Sequence, residues 1–393
     1  LANPSLEKIR SKFFQIHGDH GTHVSLTRAP GRVNLMGEHT DYNEGYVLPT
    51  NLGGMEVIVA ASRRSDNMIS MYSMDYEERI SATLGNLKNL QGDGWANYVK
   101  AVFWSLENAG HKLPGMNLSI SGNVPQGSGL SSSAALEAAI AYAALIIEGG
   151  SIDLVRLAKN LQQAENGFIG VQSGIMDQMS VLLAPAGNAL FLDCRSMEAD
   201  GVPIQFEDAH LLVIDSGVSR SLKGGDYNKR PEECKEALKL LKTRNETYTA
   251  LRDVKVLAFE RHKSVLPDIL RRRAEHVVYE NDRVLKAKEA LLNGDAVAFG
   301  QLMKKSHRSQ SILFQTSCEE IESLISICNG QPHCLGARLT GGGFGGCIVA
   351  LVKDEGLESF SDNLKRAYRQ KVGGKAVIYP VIPTEPAGEI TEE

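Results

Sequence analysis

The stretch NVPQGSGLSSSAALEAAIAYAALIIEGG, residues 123–150, limits the folds open to this chain more than any other. The alternating MNLSISG just before it reads as a strand that stops at Pro125, and the alanine-rich run behind it reads as a helix closed by Gly149 and Gly150. Between them Gly127, Ser128, Gly129, Leu130, Ser131, Ser132 and Ser133 make a strand-to-helix turn. Glycine lets such a backbone curl so that successive N–H groups point inward, and the helix start adds unpaired N–H groups at its positive dipole end. An anion fits there, with the hydroxyls of Ser131 to Ser133 at hand for phosphate or a metal ion. A well-capped helix after a tight turn is the competing reading. One cap uses one serine, and here three stand in a row.

A second glycine run, LTGGGFGGCIVALV at 339–352, places Gly341, Gly343 and Gly346 at the G-x-G-x-x-G spacing of a dinucleotide turn. That fingerprint requires a helix behind it, because the pyrophosphate rests on the helix N-terminus. Here CIVALV follows, β-branched and apolar, which is a strand. The remaining readings are a tight turn between elements and a loop packed against a ligand's phosphates. The chain also lacks the Walker A pattern and the H-R-D and D-F-G signatures of protein kinases.

Strands and helices are mixed along the chain without a strict βαβ rhythm, which predicts an α+β fold. The 393 residues exceed the usual size of one core, so two domains are expected, 1–200 and 201–393, with the boundary between Asp193 and Ala209. A net charge of −5 gives no general attraction to nucleic acid or anionic membrane, so a phosphorylated ligand must be held by local donors. Six scattered cysteines with no C-x-x-C pair suit a reducing cytosol rather than a disulfide scaffold or zinc ribbon. The first residues mix acids and bases around no long apolar core, and the longest apolar stretch, 138–147, is too short to span a bilayer. A cytoplasmic protein is therefore expected.

Three groups of polar residues sit in unusual places. Leu154, Ala158, Leu161, Glu165 and Phe168 fall on one helical face, so Glu165 occupies an otherwise apolar slot. A carboxylate there must be neutral, paired or metal-bound; a salt bridge at the helix end and a Mg²⁺ ligand are the two readings. Asp177, in SGIMDQMSVLL, stands at the start of a short helix, where the dipole favours it. The stretch APGRVNLMGEHTDYNEGYVLPT packs Arg32, Glu38, His39, Thr40 and Asp41 closely together. Such mixed donors and acceptors suit a ligand rich in hydroxyls, against the alternative of a solvated turn.

Three motifs in order, PGRVNLMGEHTDYN, PQGSGLSSSAA and LTGGGFGGCIVAL, resemble those of the GHMP small-molecule kinases, and among them those of the galactokinase family. WANYVKAV, SGIMDQ, LFLDCRS and RAEHVVYEN are similar to segments of the same family, so the resemblance runs from Leu26 to Leu351. It implies an N-terminal domain related to ribosomal protein S5 domain 2, a ferredoxin-like C-terminal domain and an active site in the cleft between them. It further implies a monomeric enzyme that phosphorylates the C1 hydroxyl of D-galactose with ATP and Mg²⁺. Gly127 to Ser133 would cradle the phosphates, and Ser133 and Glu165 would hold Mg²⁺. Glu38, His39, Thr40, Asp41, Gly174 and Tyr227 would bind the sugar. Asp177 would be the catalytic acidic residue and Arg32 its partner, either stabilising the carboxylate or countering charge in the transition state.

Two segments depart from the family pattern, SGVSRSLKGGDYNKRPEEC at 216–234 and SQSILFQTSCEEI at 309–321. They leave phosphoryl transfer in place and open the identity of the sugar, with N-acetylgalactosamine or galacturonate as alternatives. A binding protein without catalysis and a dinucleotide oxidoreductase are the rival classes.

Overall fold

The computed structural model describes residues 5–19, 21, 23–218 and 226–391, so 219–225 of the first departing segment lie outside the described residues. Mixed strands and helices form the α+β architecture that the absence of a βαβ rhythm predicts. A six-stranded sheet carries the first half, in the order Gly388–Glu389, Ser25–Asn34, Pro49–Arg63, Met116–Gly122, Met68–Ser73, Glu78–Thr83. Its pairings are antiparallel except for the parallel pair of Met68–Ser73 with Met116–Gly122. The edge strand Gly388–Glu389 comes from the far end of the chain and pairs with Thr27 and Arg28. A four-stranded antiparallel sheet carries the second half, in the order Cys334–Leu339, Cys347–Lys353, Ala209–Asp215, Val377–Pro380.

The first strand runs through Ala29-Pro30-Gly31 by bulging there rather than ending. The register to its neighbour shifts between Pro30 and Gly31 and then continues to Asn34. Proline has no N–H for the ladder, and a bulge accommodates that loss without ending the strand. The bulge also carries Gly31 against the Gly/Ser turn at 127–133. A Cβ on Gly31 would stand 3.0 Å from the Leu130 carbonyl, while the next residue, Arg32, donates its N–H to that carbonyl at 3.0 Å.

The alanine-rich helix Ser132–Glu148 is buried on most sides, which its near-uniform apolar composition requires. Its small side chains let it lie close over strands Ser25–Asn34 and Pro49–Arg63, and Thr27 Oγ1 donates to the Ala139 carbonyl at 2.8 Å. The two halves share one apolar core. Val33, Leu48 and Ala139 from the first half pack with Val284, Phe299 and Val349 from the second. Alternate residues of the second sheet, Leu212, Ile214, Ile348 and Ala350, face the opposite way onto helices Glu319–Asn329 and Leu357–Val372. With a continuous core beneath it, the cleft between the halves has a firm floor.

Candidate active site

The Gly/Ser loop at 127–133 is built from left-handed turns. Gly127 has φ 67°, Gly129 has φ 86° and Ser131 has φ 59°, a cost that only glycine avoids. Ser131 is the N-cap residue of helix Ser132–Glu148, yet its side chain makes no capping hydrogen bond. Its hydroxyl donates instead to Asp177 Oδ2. By contrast Ser5, Asp153 and Asp295 do cap their helices. The serines of this loop therefore serve more than helix capping.

Asp177 enters from the first turn of helix Met176–Leu183. Arg32 donates to Asp177 Oδ1 from Nε at 2.8 Å and from Nη2 at 2.6 Å, and its Nη1 donates to the Gly129 carbonyl at 2.6 Å. Arg32 is only 3% exposed and the Asp177 side chain 30%, so the guanidinium is a fixed backing and the carboxylate faces the cleft. Ser128 and Leu130 shape the loop from within. Ser128 Oγ donates to the Pro125 carbonyl at 2.6 Å, and Leu130 is fully buried.

Glu165 does not sit on a plain α-helix. The helix Leu154–Gln163 widens into a π-turn at Ala164–Ile169, a distortion frequent at functional positions. The turn brings Glu165 Oε1 to the Ser133 hydroxyl at 3.0 Å and Oε2 to Gln178 Nε2 at 3.1 Å. No lysine, arginine or histidine among the described residues forms an ion pair with it. Burial, with the Asp177 charge nearby, pushes its carboxyl above the ordinary glutamate range. A buried carboxylate with neutral donors only, next to a hydroxyl at a helix start, fits a hard cation. No cluster of three or more histidine, cysteine, aspartate or glutamate residues able to hold a metal occurs among the described residues. Mg²⁺ at Glu165 and Ser133 would thus draw its other oxygens from phosphate and water, which is its habit in phosphoryl-transfer sites.

The cavity beside Asp177 gathers Arg32, Glu38, His39, Asp41, Ser133, Glu165, Gly174, Asp177, Tyr227 and the backbone at Gly341 and Gly342. Asp41 reaches Gly174 so closely that any Cβ there would collide with its carboxylate, which explains the glycine. Burial and the neighbouring Asp177 charge raise the Asp41 carboxyl from 3.8 to about 6. His39 adopts φ 63°, bonds the Tyr42 hydroxyl through Nδ1 at 3.0 Å and packs near Phe314 and Tyr227. Glu38 is 1% exposed, ion-paired to Arg338, and accepts the Gly341 N–H at 3.0 Å. Thr40 is placed differently from its neighbours: fully buried and outside the cavity lining, its hydroxyl lies 2.7 Å from the carbonyls of Gly37 and Tyr46.

A second cavity opens on the other side of Tyr98 and Ser133, the two residues it shares with the first. Gly127, Ser132 and Ser133 form one end, and the stacked rings of Tyr76 and Trp95 form a wall. Trp95 Nε1 donates to Glu78 at 2.9 Å and the Tyr76 hydroxyl to Gln126 at 2.6 Å, which fixes both rings. Such a slot suits a flat, largely apolar ring system whose phosphates run toward the loop.

The second glycine run closes the cleft. A strand, Cys347–Lys353, follows it, so the dinucleotide reading fails on geometry. Gly341, Gly343, Gly345 and Gly346 all have positive φ, and a Cβ on Gly346 would strike the Ser128 carbonyl. That carbonyl accepts the Cys347 N–H at 2.9 Å, so the two glycine loops are joined directly.

Sequence reading missed Arg338, Gln178, Tyr98 and the Tyr76–Trp95 pair. Arg338 had a usable signal, a lone charge inside the otherwise apolar strand CLGARL. The aromatic pair had none, since the two rings meet only through tertiary packing.

This fold and site define a small-molecule kinase of the GHMP class: residues 97–184 match the GHMP kinases N-terminal domain and residues 287–370 the GHMP kinases C-terminal domain. Residues 11–63 match the galactokinase galactose-binding signature. The chain is 40% identical over 385 residues to a galactokinase of Roseiflexus sp. strain RS-1, covering 98% of this chain and 97% of the relative. It is 37% identical to a galactokinase of Exiguobacterium sibiricum over the full length of both. The chain belongs to the galactokinase family. Lactococcus lactis galactokinase, in its crystal structure with galactose, superposes with a TM-score of 0.94 at 32% identity, covering 98% of this chain and all of that one. The Methanococcus jannaschii mevalonate kinase, at 18% identity and a TM-score of 0.64, shares the fold.

Proposed function

We propose that the protein transfers the γ-phosphoryl group of ATP to the C1 hydroxyl of D-galactose, giving galactose 1-phosphate and ADP. The observation that carries this reading is the clamp on Asp177, held by Arg32 on one oxygen and Ser131 on the other in the lining of the first cavity. Held in this way, the carboxylate can orient the sugar hydroxyl and take its proton as the O–P bond forms and the bond to ADP breaks. An anomeric hydroxyl is more acidic than an ordinary alcohol, which suits a carboxylate base. Arg32 is also placed to counter charge that develops on the transferring oxygens.

Asp41, His39, Glu38 and Tyr227 supply acceptors and donors for the sugar, with Gly174 leaving room for Asp41. The loop Gly127–Ser133 holds the phosphates and the Tyr76–Trp95 wall the base. Mg²⁺, held by Ser133 and Glu165, would neutralise phosphate charge. The sugar cavity and the nucleotide slot meet at Tyr98 and Ser133, and Asp177 lines the sugar cavity together with Ser133. The proposed enzyme is a monomer of the cytoplasm, as the family resemblance implies; separately, no helix among the described residues is long and apolar enough to cross a membrane.

The test is ADP release across a panel of hexoses with ATP and Mg²⁺. Galactose should give the highest kcat/KM. Higher turnover on N-acetylgalactosamine or galacturonate would replace the sugar in this reading.

A further inference from the structure

Behind the sugar cavity lies a buried ionic cluster built from three distant parts of the chain. Arg338, from strand Cys334–Leu339, is wholly buried; its Nη2 pairs with Glu38 and lies 4.0 Å from Glu280 Oε1, and its Nη1 donates to the Asn34 carbonyl at 3.0 Å. Glu280, from helix Asp268–Leu292, is also wholly buried and accepts the Gly37 N–H at 3.1 Å, the Ser306 hydroxyl at 2.6 Å and Arg283 Nε at 2.6 Å. His276 closes the set. Its Nε2 stands 3.1 Å from the Glu38 carbonyl, which can only accept, so Nε2 carries the proton and Nδ1 accepts from Ser309 at 2.8 Å. Two carboxylates face two guanidiniums, so the charges of the cluster balance.

Each anchor falls on or beside one residue. The N–H preceding Glu38, its carbonyl and both its carboxylate oxygens are held by Glu280, His276, Gly341 and Arg338 respectively. Gly37 fits this turn because it has φ 100° and a Cβ there would meet the Val47 backbone at 2.9 Å. Of the acidic residues at the sugar cavity, Glu38 is thus fixed from behind by a full ionic network, whereas Asp41 rests on two backbone N–H groups.

We propose that Arg338, backed by Glu280, is a positioning residue that sets sugar selectivity by holding Glu38 as a rigid acceptor for one substrate hydroxyl. This rests on the reading of Glu38 as a sugar contact. A rigid acceptor discriminates strongly, because a sugar that misplaces its hydroxyl leaves a buried carboxylate lone pair unmet. Lysine at 338 keeps the charge but loses the planar fork that spans Asn34 and Glu38, so the acceptor would loosen.

The experiment compares Arg338→Lys and Glu38→Gln by steady-state kinetics with galactose, with hexoses that differ from it at one carbon, and with ATP. Arg338→Lys should raise the galactose KM about 10-fold and cut discrimination against the epimers by a similar factor, with kcat and the ATP KM within about twofold of the parent. Glu38→Gln should raise the galactose KM as well. A rise with Glu38→Gln and no change with Arg338→Lys would overturn the positioning role and leave the Glu38 contact standing. No change with either would remove both. Should Arg338→Lys fail to fold, Arg338→Met is made in the Glu38→Gln background, where no carboxylate at 38 is left unpaired. The proposal expects no further rise in the galactose KM there, and an additive rise would refute it.

Discussion

The chain has two glycine loops that touch each other, and they do different work. The first, at 127–133, runs into a helix and offers hydroxyls: Ser131 reaches Asp177 and Ser133 reaches Glu165. The second, at 340–346, runs into a strand and offers shape, its glycines turning back against Thr316 and Ser128. Glycine serves backbone geometry in both, but the element that follows decides what is done with it. A helix start presents N–H groups and a dipole to an anion. A strand pairs its N–H groups with neighbouring strands, so little is left for a ligand beyond a close-fitting wall.

If that division is right, side-chain losses around the first loop should cost chemistry, and added bulk in the second should cost fit and stability. The largest effect is expected for Asp177→Ala, which removes the group the first loop orients. Turnover should fall by about 10³-fold or more while ATP binding by calorimetry is retained. Gly346→Ala should come next. A side chain at φ 81° pressed on the Ser128 carbonyl should destabilise the fold by about 1–3 kcal/mol in urea titrations and raise the ATP KM about 10-fold. An unchanged melting point together with a normal ATP KM would erase the distinction between the loops.

Ser131→Ala sharpens the same contrast. The residue makes no capping bond, so stability should stay within about 0.5 kcal/mol of the parent, while kcat should drop about fivefold as Asp177 loses a donor. A loss of stability like that of a true cap, with kcat intact, would return this serine to plain helix capping. The smallest effect concerns pH. With its carboxyl raised to about 6, Asp41 gains a proton as the solution is acidified through that value, and the galactose KM should rise there by a few-fold. The folded state holds this proton better than the unfolded chain does. The group therefore favours the fold at low pH and opposes it increasingly as pH climbs from 3.8 through 6. Asp41→Asn should flatten the inflection in galactose KM, and its persistence would assign it to another group.

Much of this site was legible along the chain because its chemistry is local. The Gly/Ser turn between a strand and a helix, Glu165 on an apolar face and the polar run from Arg32 to Asp41 each break a simple pattern within a few residues. The helix reading of Glu165 was right in its anomaly and incomplete in its geometry, since periodicity does not reveal where a helix widens into a π-turn. Arg32 and Asp177 are 145 positions apart, and only the fold brings them to 2.6 Å. Arg338 lies 300 positions from Glu38, its partner. The strand Gly388–Glu389, which crosses back to the first sheet, has no sequence signal of its own, because two residues carry no periodicity.

The central claim is that the cleft between these loops phosphorylates galactose at C1. It is tested most directly by ³¹P NMR of the product formed from ATP and galactose by the parent protein and by Asp177→Ala. The account predicts one sugar phosphate, coupled to the anomeric proton, from the parent and none from the variant. A phosphate on another carbon, or the same product formed as fast by Asp177→Ala, would contradict it.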